Sequence, residues 1–179
     1  VDVVFQNPSS AQGILGYAYA NLPFETKSTT DVATDDAVTN DLESSYRKMA
    51  QGSWAATNDP MSQWVARKAT IQYINIFLEN VDNVKWSAVP QKQQMFKDHV
   101  SGEAYALRAL NMYYLLRNHG GWANGQLLGV PVITYTEGPG TDFNKPRDTF
   151  QACVEQIYAD IDVAIELLPL TYVDLTSNE

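Results

Sequence analysis

The chain contains a single cysteine, Cys153, so it can form no internal disulfide. One cysteine beside two histidines, His99 and His119, leaves no zinc constellation, and a buried thiol is the reading for Cys153 among its helical neighbours. Basic residues are also scarce, 12 against 21 acidic, for a net charge of −9. That sign repels phosphate backbones and excludes a nucleic-acid surface. No window holds the roughly 18 consecutive apolar residues of a membrane-spanning helix. The opening Val1-Asp2-Val3-Val4-Phe5 lacks the basic and apolar regions of a signal peptide. Because the chain starts at Val, any signal or lipidated residue upstream would lie outside it. Also missing are the GxSxG elbow, the Walker phosphate loop, HExxH and the dinucleotide glycine fingerprint, so nothing points to a catalyst or to a cofactor. No Gly-Ser linker or low-complexity tract divides the sequence, which reads as one domain over 1–179.

What is present is helical periodicity in a composition, 45% hydrophobic and 18% charged, that suits a soluble globular protein. "SSAQGILGYAYANLPF" (9–24) begins with serines fit for an N-cap and sets Leu15, Ala18 and Leu22 on one face, which predicts a short helix. Residues 25–59 are rich in Ser, Thr, Asp and Asn, the chemistry of turns, with a turn or two of helix in "DLESSYRKMA". A polar connection of that length is functional or flexible rather than filler. From Asp59-Pro60 to about Asp82, Trp64, Ile71, Ile74, Leu78 and Val81 form one stripe, a second helix. Pro90 opens a third, which ends at Gly120-Gly121, where a left-handed glycine can stop a helix. "LLGVPVITYT" (127–136) reads as extended, an edge strand. Asp148 and Gln151 form a capping-box-like start to a fourth helix that carries Phe150, Val154, Ile157, Ile161, Ala164 and Leu168 to Pro169. Long antiparallel helices with small residues at their crossings make a helix-hairpin array, although no strict 34-residue period can be counted.

The third helix is central. It puts Gly102, Ala106, Ala109 and Tyr113 on one face and leaves only a narrow polar strip around Arg108, Asn111 and Asn118, so neighbours must surround it and one backbone can approach closely. Glu103 and Arg108 lie five apart, about 140° around the helix, and cannot pair with each other. Each is read as half of a separate interhelical salt bridge or anchor, and no second carboxylate converges with Glu103 for acid–base chemistry.

Asp31, Asp35, Asp36 and Asp41 lack the D-x-D-x-D-G order of a calcium loop and read as turn residues and caps. Trp64 and Trp86 fall on or near the second helix and read as core. Trp54 sits in the polar "QGSWAATND", where no helical stripe explains burying an indole. Flanked by Asn58 and Asp59, it has the composition of a sugar platform, one ring face for the pyranose and polar groups for its hydroxyls. The competing reading is a loop tryptophan folded back as a lid on the core. Trp122, after the double glycine, is a second candidate.

"GEAYALRALNMYYLLRNHGG", then "GVPVITYTEG", then "KPRDTFQACVEQIYADIDVAIELLP" resemble, in order and spacing, the three blocks of the SusD/RagB family of surface glycan-binding lipoproteins. Upstream, "ATDDAV" and "WVARKATIQYINIFLENVDNV" are similar to the family's acidic motif and following helix, with Arg67-Lys68 in place of the usual aromatic. The resemblance implies an all-α fold, a tetratricopeptide-like helical hairpin array with long loops and a short extended segment. It also implies a non-catalytic receptor that captures oligosaccharide or peptide at the cell surface for a SusC-like TonB-dependent outer-membrane transporter. Membrane association would come only through an N-terminal lipid anchor that this chain does not contain.

Family members are longer, so these residues correspond to the N-terminal part, and an array cut there would expose an apolar face that favours association. The best-matching block is scaffold in that family. The loop holding Arg47, Trp54, Asn58 and Asp59 is where the resemblance puts ligand contacts, with Trp122 added from the reading of the aromatics. The alternative function is a helical-repeat scaffold that binds only a protein partner.

Overall fold

Two of the helices open on a proline, whose fixed φ suits a first helical position and whose missing N–H would have no partner there. The computed structural model of the protein describes residues 3–23, 28–55 and 57–170. Helix α1 runs Pro8–Ala20, α2 Ser45–Ala50, α3 Trp64–Asn80, α4 Pro90–His119 and α5 Phe150–Leu167; strands β1 (Gly121–Ala123) and β2 (Gln126–Leu128) form an antiparallel hairpin between α4 and α5. Short 3-10 turns cover Val4–Gln6, Ser28–Ala33 and Val81–Asn83. The all-helical expectation holds, with this small hairpin added to it.

Several boundaries move, each for a local reason. The cap of α1 is Asn7, whose side-chain oxygen accepts from the Ser9 and Ser10 amides at 2.9 and 3.4 Å, so the serines lie inside the first turn. The second long helix starts at Trp64, because Asp59 spends its carboxylate on the Met61 amide in a separate turn. Thr149 caps α5 through the Ala152 amide, while Asp148 accepts from the Val132 amide instead. Gly120 ends α4 in an extended conformation (φ −74°, ψ 151°) rather than a left-handed one. Glycine is required there by crowding, since a Cβ would collide with Leu116 O and the Leu116 and Phe150 side chains.

Helix α4, about 45 Å long at 1.5 Å per residue, is the axis of the molecule. α3 packs antiparallel to it, joining Trp64 to His119 and Arg67 to Asn111. α5 does the same on another face, with Leu168 so near Gly102 that an added Cβ would lie 2.8 Å from its Cγ. One apolar cluster joins α1 to the lower halves of α3 and α4 through Leu15, Ile74, Phe77, Trp86, Val100 and Leu107. A second gathers Ile71, Met112, Leu115, Leu116, Val130 and Cys153. Trp86 is core as expected; Trp64 is half-buried against His119.

Between Leu107 and Met112, where the clusters meet along α4, the polar strip is buried rather than solvated. Arg108 makes a bidentate pair with Asp160 of α5 (Nε–Oδ2 2.8 Å, Nη2–Oδ1 2.6 Å) and donates to Asn75 Oδ1 of α3 at 3.0 Å. Asn75 donates in turn to the Ile133 and Tyr135 carbonyls. Arg108 thus has the interhelical partner foreseen for it. Glu103 instead pairs with His99 within α4 at 2.9 Å; burial, and the charge of Glu103, raise the pKa of Tyr19 on α1.

The edge strand expected over 127–136 is confined to Gln126–Leu128. Beyond it the backbone amides bond to side chains rather than to a strand. Val132 N donates to Asp148, Thr136 N to Glu79 and Glu137 N to Gln72, at 2.7–3.0 Å. Those side chains satisfy the backbone groups that a neighbouring strand would otherwise have to meet.

Candidate functional site

The polar 41–63 connection acquires its shape from the way α2 ends. Ser44 caps this helix through the Arg47 amide, and Gly52 takes φ 89°. The Gly52 amide bonds Met49 O at 3.0 Å and the Ser53 amide bonds Lys48 O at 2.9 Å, the paired closure in which a left-handed glycine turns the chain out of a helix. Trp54 is thereby directed outward. It is 63% exposed, which rules out the folded-back lid.

The turn behind Trp54 is stapled. Ala55 and Asn58 exchange backbone hydrogen bonds, Asn58 Nδ2 donates to Ser53 O at 2.8 Å, and Asp59 Oδ1 accepts from Met61 N at 3.1 Å. Arg47 turns the other way, donating to Thr39 O at 3.2 Å, and Tyr46 O–H reaches Pro60 O. Arg47, Asn58 and Asp59 therefore each commit at least one polar group to holding the loop.

Trp122 is 75% exposed on β1, opposite Leu127 across the hairpin. The tight turn is Asn124-Gly125, with φ 50° and 76°, the two-residue connection that matches strand twist. This Asn-Gly pair is the sequence signal by which the hairpin could have been found.

Both tryptophans leave the scaffold at the end where α4 finishes and α3 begins. His119 closes that end. Its Nε2 accepts from Gln63 N at 3.1 Å, and its ring packs edge-on against Trp64, 5.4 Å between centroids. Arg147 donates from Nη2 to His119 O and from Nε to Gly129 O (2.6 Å), binding the helix terminus to the hairpin's far stem. Burial lowers the His119 pKa; the Asp59 carboxylate opposes this shift and the Arg147 guanidinium adds to it.

Other features bear less on a ligand. Tyr135 is exposed, but Lys145 Nζ lies 4.3 Å over its ring and covers one of its faces. Asp31, Asp35, Asp36 and Asp41 sit on exposed turns, apart from the partly covered side of Asp31's own 3-10 segment. Among the described residues no three His, Cys, Asp or Glu side chains gather closely enough to hold a metal ion, and no helix is long and apolar enough to cross a membrane.

A family model described as SusD-like, starch-binding and associating with the outer membrane, matches residues 9–178. The chain belongs to the SusD-like family. Solved SusD-like structures share its fold. A SusD-like protein from Bacteroides fragilis superposes over 97% of the chain with a TM-score of 0.77 at 17% identity. A protein described as sugar-binding from Bacteroides vulgatus covers 95% with a TM-score of 0.73 at 23% identity, and a laminarin-binding SusD-like protein 95% with 0.72 at 23%. The chain spans 32%, 39% and 36% of those three proteins. No curated protein matches its sequence. In this SusD-like chain the block most diagnostic of the family, Gly102 to Gly120, is scaffold: it holds Arg108, the close approach of α5 and the crowded helix end.

Proposed function

We propose that this SusD-like chain binds oligosaccharide without catalysis, as part of a lipid-anchored receptor on the cell surface that delivers its ligand to a SusC-like TonB-dependent transporter in the outer membrane. The observation that carries the reading is Trp54, an indole held 63% exposed on a stapled turn with Asn58 and Asp59 beside it. An exposed ring of this kind offers an apolar face to a pyranose, and adjoining polar groups select among its hydroxyls. Trp122, on the hairpin at the same end, is the second contact. The family description and the laminarin-binding relative support a glycan as ligand.

Isothermal titration against a panel beginning with laminarin tests it. Trp54→Ala should abolish measurable binding yet leave stability within about 0.5 kcal/mol, as expected of an exposed position. A panel in which no glycan binds removes the reading, and binding untouched by Trp54→Ala removes only the site. Turnover of a glycan would make the protein a hydrolase instead.

A second reading, a scaffold for a protein partner alone, draws on the open apolar groove between α4 and α5, where Leu110, Tyr113 and Ile165 are exposed. Retention of the transporter with no soluble ligand bound would favour it.

A further inference from the structure

The amide of Gln63 stands immediately before α3; Ser62 Oγ accepts from the next amide, Trp64 N, at 3.4 Å, but no side chain of this segment takes the Gln63 amide itself. Its partner is His119, 56 residues away at the opposite terminus of α4. The acceptor is Nε2, so the imidazole must be neutral with its proton on Nδ1; an imidazolium offers two donors and no acceptor. A phenylalanine or tyrosine ring could pack on Trp64 as His119 does, but neither has a ring atom that accepts this N–H. The same residue's carbonyl is held by Arg147, which also grips Gly129 and Leu128 at the base of the hairpin. Three residues separate Gln63 from Asp59, and Asp59 is continuous with the stapled Ala55–Asn58 turn. His119 is thus the joint between the segment that presents Trp54 and the hairpin that presents Trp122.

We propose that His119 is a positioning residue that sets the Trp54 loop against the Trp122 hairpin, and that protonation of its Nε2 releases the loop. The proposal rests on the reading of both tryptophans as ligand contacts. The charged groups that bear on the imidazole are Asp59 from the loop and Arg147 from the segment before α5, and its ring meets Trp64 at a T-shaped angle. Asp59 favours the charged form, whereas burial and Arg147 disfavour it, and the balance is a lowered pKa. The loop is therefore held at neutral pH and above, and it loosens as pH falls below the ordinary histidine value of about 6.5. A ligand that needs both tryptophans binds best in the upper range.

An NMR titration from pH 8 to 5 on the ligand-free chain decides it. His119 should titrate below about 6.5, and the Gln63 amide, the Asn58 side-chain amide and the Trp54 indole N–H should shift with the same midpoint. His99 is the only other histidine and lies 20 residues up α4, about 30 Å away, so its own titration is separable. In His119→Gln, which cannot titrate, those shifts should vanish. In His119→Phe, which packs but cannot accept, the loop signals should take their acid positions at every pH. Loop signals indifferent to the His119 midpoint, or still titrating in His119→Gln, overturn the proposal; if the Phe variant does not fold, wild type and His119→Gln decide alone. Laminarin affinity, if present, should fall several-fold from pH 7.5 to 5.5 in the wild type only. Absence of laminarin binding counts against that glycan as the ligand and leaves the joint to be judged by the titration.

Discussion

Among the described residues two arginines are buried, Arg67 and Arg108, and their surroundings differ. Arg108 has a carboxylate in bidentate geometry; Arg67, equally buried, donates to Asn111 Oδ1 and leaves its Nε without a partner. Burial lowers the Arg67 pKa, although a guanidinium starts so high that it stays charged at any ordinary pH. The Arg108–Asp160 pair is the more consequential, because removing one partner leaves an uncompensated charge inside the protein. Asp160→Ala should cost about 3–5 kcal/mol in urea unfolding, whereas a combined Arg108→Met, Asp160→Leu variant should recover much of that loss. A single variant as stable as wild type would mean that water reaches the guanidinium. At this scale the sequence was readable in part. Spacing alone established that Glu103 and Arg108 do not pair, and the resemblance marked the block as scaffold. It could not reveal that Asp160, 52 positions on, would be the partner, since only the packing of α5 brings it there.

The elements themselves were more legible than their ends. Apolar stripes located α1, α3, α4 and α5, because a helix must bury one face and that requirement is written at intervals of three and four. The ends depend on which side chain reaches which amide, and Asp59 and Asp148 both had other amides to serve. The 127–136 segment was read as extended and as an edge strand, but past Leu128 side chains such as Gln72 and Glu79 on α3 take the place of a neighbouring strand. Gly129 shows how tightly this segment meets α5: an added methyl would run into Cys153 Sγ, while the thiol itself bonds the Val130 backbone. Gly129→Ala should therefore destabilise by about 1–3 kcal/mol, the range for overpacking. In a Cys153→Ala background the same change should cost clearly less, so a double-mutant cycle by denaturant melts should be strongly non-additive. Additive effects would mean that the backbone at Gly129 yields instead.

For the whole molecule, the outstanding surface is the groove of about 740 Å³ lined by Ala106, Ala109, Tyr113, Ile157, Ile161 and Ile165. Exposed apolar surface of this kind promotes association. The chain should elute earlier from a sizing column as its concentration rises, and Ile165→Glu, at a position 67% exposed, should restore monomer elution with stability changed by no more than about 0.5 kcal/mol. A wild-type monomer at every concentration would contradict this. The candidate ligand residues were legible for a different reason: a tryptophan with no stripe to join has to be explained by something other than the core. His119 carried no such mark, since a histidine near a helix end looks the same whether or not an amide from elsewhere docks on it.

The side-chain clamp on residues 130–137 has a kinetic meaning. In a sheet, an amide is protected by the neighbouring strand and exchanges with solvent when that strand peels away. Here Thr136 and Glu137 are protected by Glu79 and Gln72, both carried on α3. Their hydrogen exchange should keep pace with the opening of α3 and slow or quicken with it, so a segment that looks like loop becomes a clock for the helix beneath it.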